Sequence, residues 1–289
     1  MKKTALGIDI GGTKIHYALV DEDGNIQGEV QKEETPKVTS EIETKLKNII
    51  AKYENKVSSV GIATAGAVNL ENSKIISSTA NMPENYPNID FKNLNNKVDI
   101  VLENDANAAA WAEFKVGKGK EYNNIIVLTL GTGVGGGIIV DGKLLKGKNG
   151  AAGEMHFKMN TSNKRHCTCG ANDCFEVYAS GLGLQLTYKD IAGYEISTYD
   201  IINNFKEDDE NAKVALAKWN EYIAMGILGL NNIFDTELIA LSGSMAQFTY
   251  TNYIENYVNT YSVTTPTKVE LCSTGEYAGL IGAALIAMK

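Results

Sequence analysis

The chain has 289 residues, 44% hydrophobic and 21% charged, with a net charge of −8. That is enough apolar material for one large or two ordinary packed domains, and an acidic surface without a dense Lys/Arg run argues against a nucleic-acid partner, whose phosphates need basic contacts. No apolar run approaches the ~20 residues of a membrane span, and the N-terminal Met1-Lys2-Lys3 run reaches Asp9 too soon for a secretory signal, so the expected location is cytoplasmic.

Thr4 to Ile10 alternates and is β-rich, Gly11-Gly12-Thr13-Lys14 turns, Ile15 to Val20 returns as a strand, and Asp21-Glu22-Asp23-Gly24-Asn25 leads into a third. Thr39 to Tyr53 has helical spacing, with Ile42, Leu46, Ile49 and Ile50 on one face. Val57 to Ala63 is a buried strand that ends in Thr64-Ala65-Gly66-Ala67, and the polar stretch from Ser77 to Asn96, with Pro83 and Pro87, is a loop with room for binding residues. Val98 to Leu102 is β-rich, and an alanine-rich helix follows Glu103-Asn104-Asp105. Asn104 and Asp105 therefore stand where a strand ends and a helix begins. Both residue types serve there as plain caps. A carboxylate at that point also faces the crevice where α/β proteins bind ligands, and the positive end of the helix keeps it ionised.

Asn124 to Leu130 is a further apolar strand, followed by Gly131-Thr132-Gly133-Val134-Gly135-Gly136-Gly137, by Ile138 to Val140, by Asp141-Gly142, and by Lys143-Leu144-Leu145. This repeats the opening plan about 120 residues later and implies two related halves. Asn211 to Phe234 is a long helix, Leu238 to Leu241 a strand that turns at Ser242-Gly243-Ser244, and Thr274 to Met288 a closing helix rich in Gly and Ala, suited to close packing.

Two glycine patterns are decoys. Gly131-Thr132-Gly133-Val134-Gly135-Gly136 fits G-x-G-x-x-G, but a dinucleotide site needs a helix after it, and here Ile138, Ile139 and Val140 follow. Gly11-Gly12-Thr13-Lys14 has the wrong order for a P-loop and also runs into a strand. Either is an ordinary hairpin turn on its own. As a pair flanking Asp105 they suit a nucleotide clamp, because glycine backbone N–H groups can approach phosphate oxygens unobstructed. Thr13 and Thr132 add hydroxyl donors, and Asp9 is placed to hold Mg²⁺ through water.

Five stretches in order and in register, namely Asp9 to Lys14, Glu103 to Ala108, Leu130 to Gly137, Gly153-Glu154, and Cys167-Thr168-Cys169-Gly170 through Cys174-Phe175-Glu176, resemble the ROK sugar kinases and repressors. The resemblance runs from Asp9 to the C-terminal helix. It implies an actin-like, hexokinase-type (ribonuclease H-like) α/β fold of two domains with an active-site cleft between them. The domains are expected at 1–115, completed by the C-terminal helix 275–289, and at 116–274. The implied activity is phosphorylation of a sugar hydroxyl by ATP with Mg²⁺, in a homodimer. Carried over by residue, Asp105 is the general base and Asn104, Glu154 and Glu176 are sugar-hydroxyl ligands, with Gly66 a backbone sugar contact. Asp9, Gly11, Gly12, Thr13, Lys14, Thr132 and Gly133 belong to the phosphate loops, and Gly243 to the adenosine-side turn. The repressors carry a helix-turn-helix ahead of the first loop; with eight residues before Asp9, none is expected here.

The chain departs from the family pattern in three places, one of them Thr64-Ala65-Gly66-Ala67-Val68-Asn69, which lacks the family's Pro-Gly pair. The family's zinc site pairs three cysteines with a histidine in Gly-Glu-x-Gly-His. Here the run is Gly153-Glu154-Met155-His156-Phe157, so Phe157 fills the histidine slot and a complete site with Cys167, Cys169 and Cys174 is not expected; zinc is doubtful, with His156 or His166 the only substitutes. The sugar-side loop from Ser78 to Tyr86 lacks the family's Gly-Trp, leaving Thr79 and Asn81 as polar contacts and space near Ala67. This arrangement is most like the N-acetylmannosamine kinases, so phosphorylation of that sugar's 6-hydroxyl, a step of sialic acid catabolism, is the expected reaction. Glucose is the alternative substrate, and a catalytically silent sugar-binding regulator the rival from another class.

Overall fold

A computed structural model of the chain describes residues 2–78, 82–159, 165–263 and 266–289. The opening meander forms as β1 (Thr4–Ile10), β2 (Lys14–Asp21) and β3 (Ile26–Glu34), followed by α1 (Thr39–Tyr53) with Ile42, Leu46, Ile49 and Ile50 buried. Next come β4 (Ser59–Thr64), the short hairpin β5 (Ala67–Val68) and β6 (Ile75–Ser77), then β7 (Asp99–Asn104) and α2 (Asp105–Val116). Between β6 and β7 the expected loop carries 3₁₀ turns at Tyr86–Asn88 and Phe91–Asn93, because Tyr86 and Phe91 are fully buried with their rings edge to face.

The second run is β8 (Ile125–Leu130), β9 (Val134–Val140) and β10 (Lys143–Leu144), then α3 (Glu176–Ala179), α4 (Gly181–Ala192), α5 (Thr198–Lys206) and α6 (Glu210–Phe234). It closes with β11 (Leu238–Ser242), α7 (Thr251–Tyr261), β12 (Lys268–Leu271) and α8 (Ala278–Ala287). The side chains of Ser180, Ser197 and Asp209 cap α4, α5 and α6, each accepting from an amide three residues on.

One sheet has the order β3-β2-β1-β4-β7, with β1 antiparallel to β2 and parallel to β4, and β4 parallel to β7. The other has the order β10-β9-β8-β11-β12, with β11 parallel to both β8 and β12. Each sheet is thus a three-stranded meander extended by two crossover strands, the repeat that the sequence implied. The inner strand β4 is buried at all six positions, as a parallel strand covered on both faces must be.

The chain divides into two compact units, Met1–Glu121 with Gly137–Gly153 and Ser273–Lys289, and Tyr122–Gly136 with Glu154–Cys272. In the first, α8 is apolar all round and buried from Ala278 to Ile286, as befits a helix with no solvent face. It packs on α2 so closely that a Cβ on Gly282 would strike the Ala108 carbonyl, and Ala63, Ala108 and Ala283 form an all-alanine contact beside it.

Candidate active site

The register of the first sheet brings together the first unit's candidate residues. Ile10 pairs with Thr64, and Thr64 with Asn104, so β1, β4 and β7 finish level with one another. The carboxyl ends of parallel strands are where such sheets hold ligands. Asn104 leaves β7 in an extended conformation and caps α2, its Oδ1 accepting from Asn107 N at 3.0 Å while its Nδ2 donates to Gly66 O at 3.1 Å. Gly66 has φ of 101° and sits against the Ser77 carbonyl, where a Cβ has no room, so a side chain there would displace the acceptor that fixes Asn104.

Asp105 opens α2 and is exposed, with Oδ1 accepting from Ala106 N at 2.9 Å. It is therefore both a first-turn residue of the helix, as the cap reading holds, and an exposed carboxylate at the strand ends. Asp9, one residue from the end of β1, is its half-buried counterpart: desolvation, with the Asp105 charge adding to it, pushes its carboxyl up to about 7. The turn that follows has its carbonyls occupied. Lys14 O accepts from Gly11 N, Gly11 O from Thr35 Oγ1, Gly12 O from Lys37 Nζ and Thr13 O from Thr35 N. What Gly12 and Thr13 have to offer an anion is N–H groups and the Thr13 hydroxyl; Thr13 and Lys14 are exposed.

Sequence reasoning missed what lies behind Asn104. Glu103, 2% exposed, accepts from Asn104 N at 3.0 Å, Asn107 Nδ2 at 3.2 Å, Asn72 Nδ2 at 2.9 Å and Lys146 Nζ at 3.0 Å. Lys146 Nζ also donates to Asn72 Oδ1 at 3.0 Å. A buried carboxylate survives only with such company, and it fixes the backbone that presents Asn104 and Asp105. The signal available in the sequence was a charged residue closing an apolar strand; nothing pointed to Lys146.

The second unit gathers the remaining predicted residues. Gly131 N donates to Gly133 O and Gly131 O accepts from Gly181 N, which sets the first turn of α4 against the glycine turn. Thr132 is exposed. Gly243, at φ 89°, follows β11 and lies against the Leu130 backbone, while Met245 N donates to Leu130 O at 2.9 Å. The Thr132-Gly133 and Gly243 turns are thereby tied together through Leu130. Glu176 opens α3 and accepts from Val134 N at 3.1 Å, so this expected sugar ligand also props the glycine turn. Glu154 is half exposed, and its Oε2 lies 3.6 Å from His156 Nε2. Thr79 and Asn81 lie outside the described residues.

The cysteine loop requires a correction. With Phe157 in the histidine slot a complete site was not expected, yet His156, one of the two substitutes, lies with Cys167, Cys169 and Cys174, the four donor atoms all within 4.8 Å of one another. Phe157 instead stacks on Phe175 at 4.9 Å, and its carbonyl accepts from Phe175 N at 2.8 Å. Residues 154–157 have no regular secondary structure, so no fixed period sets the side on which His156 falls. His166, the other substitute, is exposed and instead lies 3.3 Å from Asn172 Oδ1 through its Nδ1.

Residues 5–289 match the sequence profile of the ROK family. The chain belongs to the ROK family. It is 42% identical over 190 residues to a glucokinase of Streptomyces coelicolor, a match that covers 62% of this chain and spans 57% of that relative's length. It is 30% identical to an N-acetylmannosamine kinase of Haemophilus influenzae, over 96% of this chain and 93% of the other. The crystal structure of a ROK family glucokinase from Streptomyces griseus, in complex with glucose and AMPPNP, superposes with a TM-score of 0.81 at 28% identity, covering 98% of this chain and 99% of that one. The fold of this ROK chain is accordingly the actin-like, hexokinase-type α/β fold expected from its motifs.

Proposed function

We propose that this ROK chain is a carbohydrate kinase that transfers the terminal phosphoryl group of ATP to the 6-hydroxyl of N-acetylmannosamine. The observation that carries the reading is the level finish of β1, β4 and β7, which sets exposed Asp105 beside Asn104 and close enough to Asp9 for its charge to be felt there. Phosphoryl transfer asks for positioning and charge neutralisation more than for a strong base. Asp105, at the α2 N-terminus where the helix dipole favours a carboxylate, accepts the sugar hydroxyl proton late, as the loose transition state develops. Asn104 is locked to Gly66 and offers a fixed polar group to the sugar. Glu154 and Glu176 supply further acceptors for ring hydroxyls. The turns at Gly11-Gly12-Thr13-Lys14 and Thr132-Gly133 provide N–H and hydroxyl donors for phosphates, and the Gly243 turn the adenosine side.

A pair of neighbouring carboxylates, one half-buried and pushed up to about 7, suits a hard divalent cation. Asp9 and Asp105 would hold Mg²⁺, directly or through water, and the ion would supply neutralisation of phosphate charge. The cytoplasmic, dimeric setting expected from the family belongs to the same reading.

Substrate choice turns on C2. The ring hydroxyls shared by glucose and N-acetylmannosamine do not discriminate, whereas an N-acetyl group needs space and an amide partner. Small, buried Ala67 beside Gly66 supports the space, and Thr79 or Asn81 the partner. Glucose is the second choice, favoured by the Streptomyces coelicolor relative. An ATP-consumption screen over N-acetylmannosamine, its C2 epimer N-acetylglucosamine, glucose and mannose tests the reading. The expected order has N-acetylmannosamine first in kcat/KM. Turnover best on glucose would overturn the C2 argument, and no turnover on any sugar the kinase assignment itself.

A further inference from the structure

In the order β3-β2-β1-β4-β7 the strand β7 is an edge, with a neighbouring strand on one side. The outward N–H and C=O groups of an edge strand need other partners, and at Leu102 a single residue supplies both. Leu102 N donates to the Asn72 carbonyl at 2.9 Å, and Asn72 Nδ2 donates to the Leu102 carbonyl at 2.6 Å. A residue of an adjoining antiparallel strand would make that exchange with its own N–H and C=O. The Asn72 N–H is occupied, donating to Asn69 O at 3.0 Å within the turn, so the side-chain amide stands in for it. Asparagine also suits the backbone there: φ is 53°, in the left-handed region that Asn tolerates through its short polar side chain. The same amide reaches Glu103 Oε2 at 2.9 Å, and Asn72 Oδ1 accepts from Lys146 Nζ at 3.0 Å.

Asn72 stands in the turn between β5 and β6. That hairpin starts from Gly66-Ala67, and Gly66 O accepts from Asn104 Nδ2 at 3.1 Å. Two ties therefore join the hairpin to the end of β7, one on each flank of Glu103: Leu102 to Asn72 and Asn104 to Gly66. One tie alone would leave a pivot; two at separate points remove it. Gly150 lies against the Val68 carbonyl, where a Cβ has no room, so the loop that follows Lys146 packs on the same hairpin. We propose that Asn72 is a positioning residue for the sugar side of the reaction. It serves as a one-residue strand that holds Gly66 and Ala67 in fixed register with Asn104 and Asp105. It acts through the hairpin and the strand end, not on the sugar itself. The clip rests on these hydrogen bonds, and its effect on turnover rests on the kinase reading given above.

Two variants of the full chain separate the clip from its surroundings. Asn72→Gly removes the amide and keeps the left-handed backbone accessible. Asn72→Asp keeps an oxygen for Lys146, but it offers Leu102 O no donor and sets a second carboxylate beside Glu103. Asn72 is half-buried in a turn, so neither change empties a core. The first measurement is hydrogen exchange of the ligand-free protein, resolved to single amides. In Asn72→Gly the Leu102 and Asn104 amides should exchange roughly 3–10-fold faster, the weight of about one ordinary hydrogen bond, and the amides of β1 should keep their wild-type rates. The second is steady-state kinetics. The sugar KM should rise by roughly 3–10-fold in Asn72→Gly on the same grounds and further in Asn72→Asp, with the KM for ATP unchanged. The preference for N-acetylmannosamine over glucose should narrow, because Ala67 is no longer held against the sugar. A merely structural role would lower stability without splitting the two KM values. Wild-type exchange at Leu102 in Asn72→Gly, or recovery of it in Asn72→Asp, overturns the clip. Faster exchange with an unchanged sugar KM overturns the positioning role. A wild type that phosphorylates no sugar sinks the kinase reading and the positioning role with it, while the exchange rates still decide the clip.

Discussion

The two sheets have the same strand order and opposite endowments. In the first, the strand ends carry Asp9, Thr64 and Asn104, with Asp105 directly after; in the second, the matching places hold Thr129, Ser242 and Leu271, with Cys272 after. Both have a glycine turn after the leading strand, Gly11-Gly12-Thr13 in one and Gly131-Thr132-Gly133 in the other. The shared part is therefore the part that suits phosphate, and the difference is carboxylate chemistry, concentrated in one half. On the proposed reading, a duplicated frame needs the base and the cation carboxylates only once. This division predicts that substitutions in the first half act on chemistry and on charge-linked stability, and those in the two turns act alike on nucleotide affinity.

The strongest way to break the comparison is at Asp105. Asp105→Asn removes the proton acceptor and keeps the hydrogen bond to Ala106 N. The expected loss is roughly 10²–10⁴-fold in kcat, the range for general-base help, with sugar affinity within a few-fold of wild type. Steady-state kinetics with a parallel sugar titration reads both, and a variant with near-normal kcat sinks the role given to Asp105.

Asp9 gives the next effect, on stability. Its folded carboxyl titrates at about 7 against an ordinary 3.8. A raised carboxyl means that the folded state holds its proton more tightly, so the stability contributed by this group is full below about pH 4 and is lost as pH rises through 7. The separation corresponds to roughly 4 kcal/mol. Asp9→Asn, which does not ionise, should flatten that decline and make the ligand-free protein more stable than wild type at pH 8, while phosphoryl transfer falls. Urea denaturation from pH 4 to 8 decides it; parallel curves for the two proteins would falsify the charge-strain account. The second half, with Thr129 in that place, has no such term to remove.

Much of this was legible in the residues, and the failures share a cause. The repeated meander, the Asn104 cap and the apolar stripe of α1 follow from local rules of turn, cap and periodicity, and they formed as read. Which of His156 and His166 lies with the cysteines was not legible because residues 154–157 have no regular backbone whose period would fix the side a side chain takes. Lys146 was invisible because its partner Glu103 is 43 residues away, and no period links two groups that meet by tertiary folding. The helix α4 begins Gly-Leu-Gly, with two poor helix formers in its first three positions. It forms because Ser180 caps it and because Gly183 packs on the Tyr178 backbone, a close approach that any side chain would block.

Lys146 provides the third test. Lys146→Met keeps the length of the stem and removes the cation from Glu103, which is almost wholly buried. Leaving a buried charge short of its partner costs about 3–5 kcal/mol in general; Asn72, Asn107 and the Asn104 amide still hold Glu103, so about 2–3 kcal/mol is expected here by the same reasoning. Glu103→Gln in the same background should recover part of it, since the neutral amide no longer needs the lysine. A change under about 0.5 kcal/mol, the size of an ordinary surface substitution, would show that the pair does not hold the strand end.

The smallest effects bear most directly on the likeness of the two halves. Thr13 and Thr132 are exposed hydroxyls on corresponding turns. Valine keeps the β-branched shape in each and removes one donor. A hydrogen bond to a charged acceptor is worth about 1.5–3 kcal/mol, and loss from an exposed turn that water can re-enter should cost the lower end or less. Thr13→Val and Thr132→Val should therefore each raise the KM for ATP by roughly 3–10-fold, about 0.7–1.4 kcal/mol, and leave sugar affinity unchanged. The double variant adds the decisive information. If the two turns grip separate phosphate oxygens, the costs add, because sites without a shared partner are independent. A double variant no worse than the poorer single would mean that both hydroxyls serve one contact. If Thr132→Val alone is silent, the second turn is a structural hairpin propped by Glu176, and the likeness between the halves ends at the backbone.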